Sequence, residues 1–338
     1  MSLAARSAAY SAVSTSLARL SDRELQRALD AAAPIGAGIG GKTVRLEVAG
    51  TPVFVKRVPL TDLERRPENV RSTANLFELP PFCHYGIGGP GFGAWRELAV
   101  QEMTTDWVLA GDYEGFPLMY HWRILPDSAP LPEELADVDA TVAFWGGGSQ
   151  VRRRVEELRD ASASIALFLE HIPQNVFQWL RERMGAGGET ADQACAMVER
   201  VLEEGLAFMN SRGLLHFDAH FQNILTDGRR LFFADYGLAV SSRFELSREE
   251  SAFFERHQDY DRRYAAMYMA QWLVAELFGS WREGEPRLRA YARGEEVPAG
   301  IPKTAAAILT RNAPVAVAMV DFLQALQNES RQTPYPVW

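Results

Sequence analysis

Gly213 to Ala239 reads GLLHFDAHFQNILTDGRRLFFADYGLA and sets four polar side chains, His216, Asp218, Asn223 and Asp235, around a short apolar hairpin. Ile224-Leu225 and Leu231-Phe232-Phe233 flank Thr226-Asp227-Gly228-Arg229, and Asp-Gly between apolar runs is a strong turn signal. Closing the hairpin is expected to bring Asn223 near Asp235. An amide carbonyl beside a carboxylate is a pair of hard oxygen donors, the type Mg²⁺ takes when it also keeps waters and substrate phosphates. Asp218 lies five residues before Asn223, where it could orient a hydroxyl attacking a terminal phosphate, or accept its proton. Asp and Asn are also common in loops for conformational reasons. A solvated turn, however, does not account for His-x-Asp-x-x-x-x-Asn, an apolar hairpin and Asp-x-Gly in that order.

HFDAHFQN, His216 to Asn223, followed by DYG, Asp235 to Gly237, resembles the catalytic and metal-binding loops of the protein kinase-like superfamily, which includes protein kinases and aminoglycoside and choline phosphotransferases. The resemblance implies an α+β, two-lobed protein kinase-like fold, with an antiparallel β-sheet N-lobe and a mainly helical C-lobe. It also implies ATP in the cleft and Mg²⁺ held by Asn223 and Asp235. The expected division is a helical extension over 1–33, an N-lobe over 34–170 with an insertion at 127–160, and a C-lobe over 171–338. Asp218 takes the catalytic role, and His216 braces the loop by hydrogen bonding rather than by taking protons.

Upstream, Gly36 to Thr43 reads GAGIGGKT and satisfies both G-x-G-x-x-G and G-x-x-x-x-G-K-T. A Walker loop must open a helix at the phosphates, whereas here VRLEV alternates with period two, Ala49-Gly50 turns, and VFVKRV alternates again. That is a strand hairpin. In the resemblance the glycine loop sits between two such strands, so Gly36, Gly38 and Gly41 are read as letting the backbone approach phosphates. Lys42 stays open between a phosphate contact and an exposed lysine.

Lys56, on the strand after the loop, matches the lysine that holds nucleotide phosphates in these enzymes. A lysine amid valines needs a carboxylate, because an isolated buried ammonium is costly. The helix expected over Ala94 to Ala110 offers Glu97 and Glu102, which lie ~140° apart at 3.6 residues per turn, so only one can face the lysine. Glu102 shares its side of the wheel with Trp95, Leu98, Asp106 and Leu109 and is the expected partner, with Glu97 as the alternative.

Ser164 to Ile172, SIALFLEHI, has a buried-strand pattern leading into Pro173 and a helix over Asn175 to Met184. The resemblance makes this the link between lobes, with the Glu170 carbonyl and the Ile172 amide binding the adenine edge and Leu169 guarding the pocket. Further helices are expected over 14–33, where Ser21-Asp22-Arg23-Glu24 forms a capping box, and over 191–212, 264–278 and 313–328. No chemistry is assigned to 59–93 or 127–160.

Three positions depart from the protein-kinase pattern. Phe217 stands where regulated kinases carry arginine, His220 stands where serine/threonine kinases carry lysine, and 237–264 lacks an Ala-Pro-Glu end. The expected function is therefore transfer of the ATP γ-phosphate to a hydroxyl, with a small-molecule acceptor favoured, since histidine at 220 looks more like the small-molecule phosphotransferases; Asp218, Lys56, Glu102, His216 and His220 form the expected catalytic set. The alternatives are a serine/threonine protein kinase and a nucleotide-binding pseudokinase scaffold.

The 338 residues, 47% apolar and 11% aromatic, suffice for a sizeable core. With 44 acidic against 35 basic residues the net charge is −9, which disfavours nucleic acid unless basic residues cluster. Arg152-Arg153-Arg154 is followed by Glu156-Glu157, a solvated helix face. Cys83 and Cys195 are too isolated for a disulfide framework. Apolar runs fall short of the ~20 residues that span a bilayer, and no signal-peptide core is visible. The expectation is a cytoplasmic protein with no membrane partner.

Overall fold

Ala49 and Gly50 both take positive φ, +50° and +71°, the two-residue hairpin geometry that matches strand twist. They join β2 (Gly41–Val48) to β3 (Thr51–Leu60), with Val44 opposite Val55 and Thr43 opposite Lys56. β1 (Ala33–Gly38) pairs antiparallel with β2. The computed structural model describes residues 1–38, 41–86, 89–128, 131 and 133–338. The tip of the glycine loop, residues 39–40, lies outside them.

The chain divides into two units, one of residues 1–171 and 234–254, the other of 172–233 and 255–338. The first is built on a five-stranded antiparallel sheet of order β1-β2-β3-β5-β4, where β4 is Met119–Pro126 and β5 is Ala163–Glu170. Helix α3 (Ala94–Ala110) lies on one face. Phe54, Val58 and Leu60 of β3 and Ile165, Leu167 and Leu169 of β5 meet Ala94, Trp95 and Leu98 there. Because side chains alternate along a strand, Lys56 belongs to the same face as Phe54 and Val58.

The expected single helix over 14–33 is instead α1 (Leu3–Ala18) and α2 (Asp22–Ala31), separated at Ser21, whose capping box with Glu24 is formed. The two long insertions build one second core: Leu63, Phe77, Leu79, Cys83 and Phe92 pack with Leu135, Val142, Trp145, Val151 and Val155. The latter come from α4 (Glu133–Ala136), α5 (Val138–Phe144) with the Trp145 that caps it, and α6 (Ser149–Arg159). Burial pushes the thiols of Cys83 and Cys195 up to about 12, so both are inert packing groups.

The second unit is mainly helical. β6 (Gln174–Asn175) leads into α7 (Val176–Ala186) and α8 (Gly188–Ser211), followed by β7 (Leu214–Leu215) and the hairpin of β8 (Ile224–Thr226) with β9 (Leu231–Phe233). Its register sets Ile224 opposite Phe233, and Gly228 takes φ +84° in the turn. The segment 238–261 contains α9 (Arg248–Arg256), whose residues 248–254 belong to the first unit. α10 (Tyr260–Phe278), α11 (Trp281–Ala292) and α12 (Lys303–Asn328) complete the second unit and pack on one another. Among the described residues α12 is one helix long and apolar enough to cross a membrane by length and composition. Its Ala305, Ile308, Leu309, Ala313, Ala316 and Met319 are buried in the unit's own core.

Candidate active site

In the first unit Lys56 Nζ donates to Glu97 Oε1 at 2.6 Å and to Asp235 Oδ1 at 2.8 Å. The lysine and Glu97 side chains are 7% and 3% exposed, whereas Asp235 is 42% exposed. Burial alone would push Lys56 down, but Asp235 and then Glu97 outweigh it and hold the ammonium above the usual lysine range. Burial pushes Glu97 up, with the Lys56 charge opposing and the Asp235 charge adding to it. Two carboxylates thus share one ammonium, and the exposed end of the cluster is Asp235.

The expectation that Glu102 pairs with Lys56 is corrected: Glu102 binds Arg71 at 2.6 Å on the surface. The buried stripe of α3 runs through Glu97, Gln101, Thr104 and Val108, an i, i+4, i+7, i+11 spacing. Leu109, which argued for the other side of the wheel, is 36% exposed. Trp95 and Leu98 are buried as well as Glu97, Gln101 and Thr104, so α3 is covered on most sides and apolarity does not single out the glutamate that meets Lys56.

The pitch of α3 is set from the first insertion. Glu64 Oε1 accepts from the Ala94 amide at 2.7 Å, and its Oε2 accepts from Thr61 N, Thr61 Oγ1 and Arg154 Nη1 at 3.0, 2.7 and 3.1 Å. A carboxylate at a helix N-terminus meets free N–H groups and the positive dipole end. Gly93 takes φ +127°, and a Cβ there would lie 2.6 Å from Glu64 Oε1. Gly93→Ala is expected to cost about 1–3 kcal/mol from the backbone conformation alone, seen as a lowered Tm in thermal denaturation; an unchanged Tm would dismiss this account of the cap.

In the second unit the loop after β7 carries Asp218. Asn223 Nδ2 donates to Asp218 Oδ2 at 2.9 Å and to its carbonyl at 3.1 Å. The amide nitrogen being so used, the Asn223 carbonyl oxygen is the atom suited to a cation. His216 is fully buried, and its Nδ1 accepts from the Asp218 amide at 3.3 Å, a bracing role. His220 Nδ1 accepts from the Gln222 amide at 3.2 Å, while its Nε2 lies 3.7 Å from Asp218 Oδ1.

Asp261, which the sequence reading passed over, holds this loop from α10. Its Oδ2 accepts from His216 N at 2.6 Å and its Oδ1 from Phe217 N at 2.8 Å. Phe217 takes φ +63°, a costly conformation for a bulky residue. Its ring stacks on Tyr260 at 4.5 Å, and Tyr335 packs against Tyr260 and His257. The one sequence signal for Asp261 is an acid opening an otherwise apolar helix.

Burial raises the Asp261 carboxyl to about 6, with the two amide bonds opposing and the Asp218 charge adding to it. The folded value exceeds the ordinary aspartate value of 3.8, so the folded state binds the proton more tightly. The resulting stability is full below the unfolded value and is lost as pH rises through about 6, a change of about 3 kcal/mol. Asp261→Ala should cost about 1–3 kcal/mol for each amide left unpaired. Urea unfolding of wild type and variant should show the gap narrowing from pH 4 to pH 7; a gap that widens would reverse this assignment.

Of the other expected residues, Gly36 and Gly38 end β1 and Gly41 opens β2, with Gly36 opposite Thr43 and Gly38 opposite Gly41. Lys42 is exposed, its Nζ 3.9 Å from Asp127. Glu170 ends β5, and Ile172 opens the second unit. The chain matches no protein-family model, and no curated protein is recognisably similar to it.

Proposed function

We propose that this protein is an ATP- and Mg²⁺-dependent phosphotransferase of the two-lobed protein kinase-like fold, transferring the γ-phosphate to a hydroxyl. The observation that carries the reading is the buried Lys56 ammonium between Glu97 and Asp235, residues 41 and 179 positions away in the chain. A lysine held by two carboxylates is fixed in direction, yet keeps a third N–H for a phosphate oxygen. Gly36, Gly38 and Gly41 give the backbone access to phosphates, and the Glu170 carbonyl and Ile172 amide read the adenine edge.

The donor set suits the metal. The resemblance assigns the ion to Asp235 of the first unit, an accessible carboxylate, and Asn223 of the second, an amide oxygen, each a hard donor of the kind Mg²⁺ accepts alongside phosphates and water. Bound there, Mg²⁺ would neutralise charge developing on the phosphates. Asp218 orients the acceptor hydroxyl; as the oxygen bonds to the γ-phosphorus and the bond to the bridging oxygen breaks, the hydroxyl proton passes to Asp218. All the groups the chemistry requires are present, which favours an enzyme over a pseudokinase scaffold.

A small-molecule acceptor is favoured over a serine/threonine protein because the segment after DYG is occupied by its own chain. Ser72 Oγ donates to Glu245 at 2.6 Å, Glu245 N donates to Thr73 Oγ1 at 2.9 Å, His84 Nδ1 meets the Leu238 carbonyl at 2.8 Å, and Arg96 pairs with Glu250 at 2.7 Å. A docking protein would have to displace these bonds.

Calorimetry should detect ATP binding that requires Mg²⁺; no binding of ATP or ADP with Mg²⁺ present would end the proposal. Asp235→Ala should weaken that binding by about tenfold or more, equivalent to at least about 1.4 kcal/mol, while Lys56 keeps Glu97 and the fold persists. Unchanged Mg²⁺ dependence would mean the ion is held elsewhere. A radiolabelled-ATP screen over aminoglycosides, other amino alcohols, generic protein substrates and the protein itself identifies the acceptor, and label in protein alone would reverse the preference.

A further inference from the structure

Arg6 of α1 is 1% exposed, and its whole guanidinium is engaged at one end of the sheet. Nε donates to both oxygens of Glu170 at 3.0 and 3.1 Å, Nη2 to Glu170 Oε2 at 2.6 Å and to the Phe116 carbonyl at 2.5 Å, and Nη1 to the Glu114 carbonyl at 2.8 Å. Glu170 Oε2 also accepts from the Leu118 amide at 3.1 Å, and the Glu170 amide donates to the Leu118 carbonyl at 2.7 Å. Glu170 thereby has both its backbone and its side chain tied to 114–118.

This is an unusual way to attach a terminal helix. Val13 and Leu17 already bury α1 by apolar contact, and a buried ion pair is often no more stabilising than apolar residues of similar volume. What the pair adds is direction. A planar guanidinium binding a carboxylate through two parallel bonds fixes distance and orientation together, and here the same plane also reaches two carbonyls. The fixed object is the final residue of β5, on a strand that otherwise reads ASIALFL and needs no charge to be buried.

We propose that Arg6 is a positioning residue for base recognition: by holding the Glu170 side chain and the 114 and 116 carbonyls, it aims the Glu170 backbone at the purine edge. The inference rests on the proposed nucleotide-binding function, which assigns the Glu170 carbonyl to the adenine. It makes α1 a working part of the nucleotide site.

The test is calorimetry of MgATP and MgGTP on the full chain. Arg6→Ala alone would strand the Glu170 charge in the interior and endanger folding. The informative protein is therefore the double variant Arg6→Met/Glu170→Gln, which buries no unpaired charge and keeps an acceptor for the Leu118 amide; circular dichroism verifies its fold. Arg6→Lys is its companion, retaining the charge and losing the fork. The expected result is that ATP affinity falls by about tenfold, the size of one lost hydrogen bond, while GTP affinity barely changes, so the preference for ATP collapses in the double variant and partly in Arg6→Lys. An equal fall for both nucleotides would mean a merely structural arginine, and an unchanged ATP preference, or none in wild type, would also overturn the proposal. Wild type that binds no nucleotide would remove the phosphotransferase reading itself, whereas wild type that prefers ATP with indifferent variants sinks the Arg6 inference alone.

Discussion

For the proposed phosphotransferase, Asp218→Asn is expected to lower phosphoryl transfer by about two to four orders of magnitude, the contribution of a positioned proton acceptor, and to leave the affinity for MgATP unchanged. The substitution is close to isosteric and spares the loop. The Asp218 amide still donates to His216 Nδ1, the carbonyl still accepts from the His220 amide at 2.8 Å, and an asparagine oxygen can take the Asn223 bond. Only the capacity to accept a proton disappears, so the loss should fall on kcat rather than on binding. Single-turnover transfer measured beside calorimetric affinity separates the two. Transfer at the wild-type rate would move the reaction away from Asp218, and a cellular role kept in full would favour the scaffold.

The second large effect concerns the lysine clamp. Glu97→Ala removes a buried partner of a buried ammonium, and breaking such a pair is worth about 3–5 kcal/mol. Asp235 remains 2.8 Å from Lys56 Nζ, which should keep the variant at the lower end of that range and draw the lysine towards Asp235. Both stability and MgATP affinity should fall. Glu102→Ala, five residues along the same helix, breaks only the exposed pair with Arg71, and such pairs contribute about 0–1 kcal/mol. Urea denaturation of the two variants side by side discriminates between the glutamates. Equal losses would mean that burial of the Glu97 pair has been misjudged.

These two results bear on parts of the chain that were unequally readable. The loop residues His216, Asp218 and Asn223 and the hairpin behind them are local in sequence, and the turn at Asp227-Gly228 and the apolar strands on either side follow from residue type alone. The same holds for the β2–β3 hairpin and for α3, whose observed limits, Ala94–Ala110, are those the sequence predicts. Local signals reach as far as neighbouring residues interact, through turns, caps and side-chain periodicity.

The partner of Lys56 lay beyond that reach. A helical wheel ranks faces by apolarity, but α3 is buried on most sides, with Gln101, Thr104 and Thr105 inward beside Glu97 as well as Trp95 and Leu98, so apolarity could not choose between the glutamates. Arg6 and Asp261 were silent for a related reason. Each carries a charge that looks solvated in sequence and is buried only because groups from distant positions, Glu170 with the 114 and 116 carbonyls for one and the His216 and Phe217 amides for the other, arrive to satisfy it.

By itself the sequence determined the α+β character, the strand hairpins, the principal helices and the identities of the polar residues on the Asp218 loop. Tertiary structure alone decided which glutamate holds Lys56, that residues 59–93 and 127–160 share one core, and that Arg6 and Asp261 are interior. The physical reason is that desolvating a charge is unfavourable until its partners are in place, and partners 41 to 164 residues apart are set by packing of the whole unit.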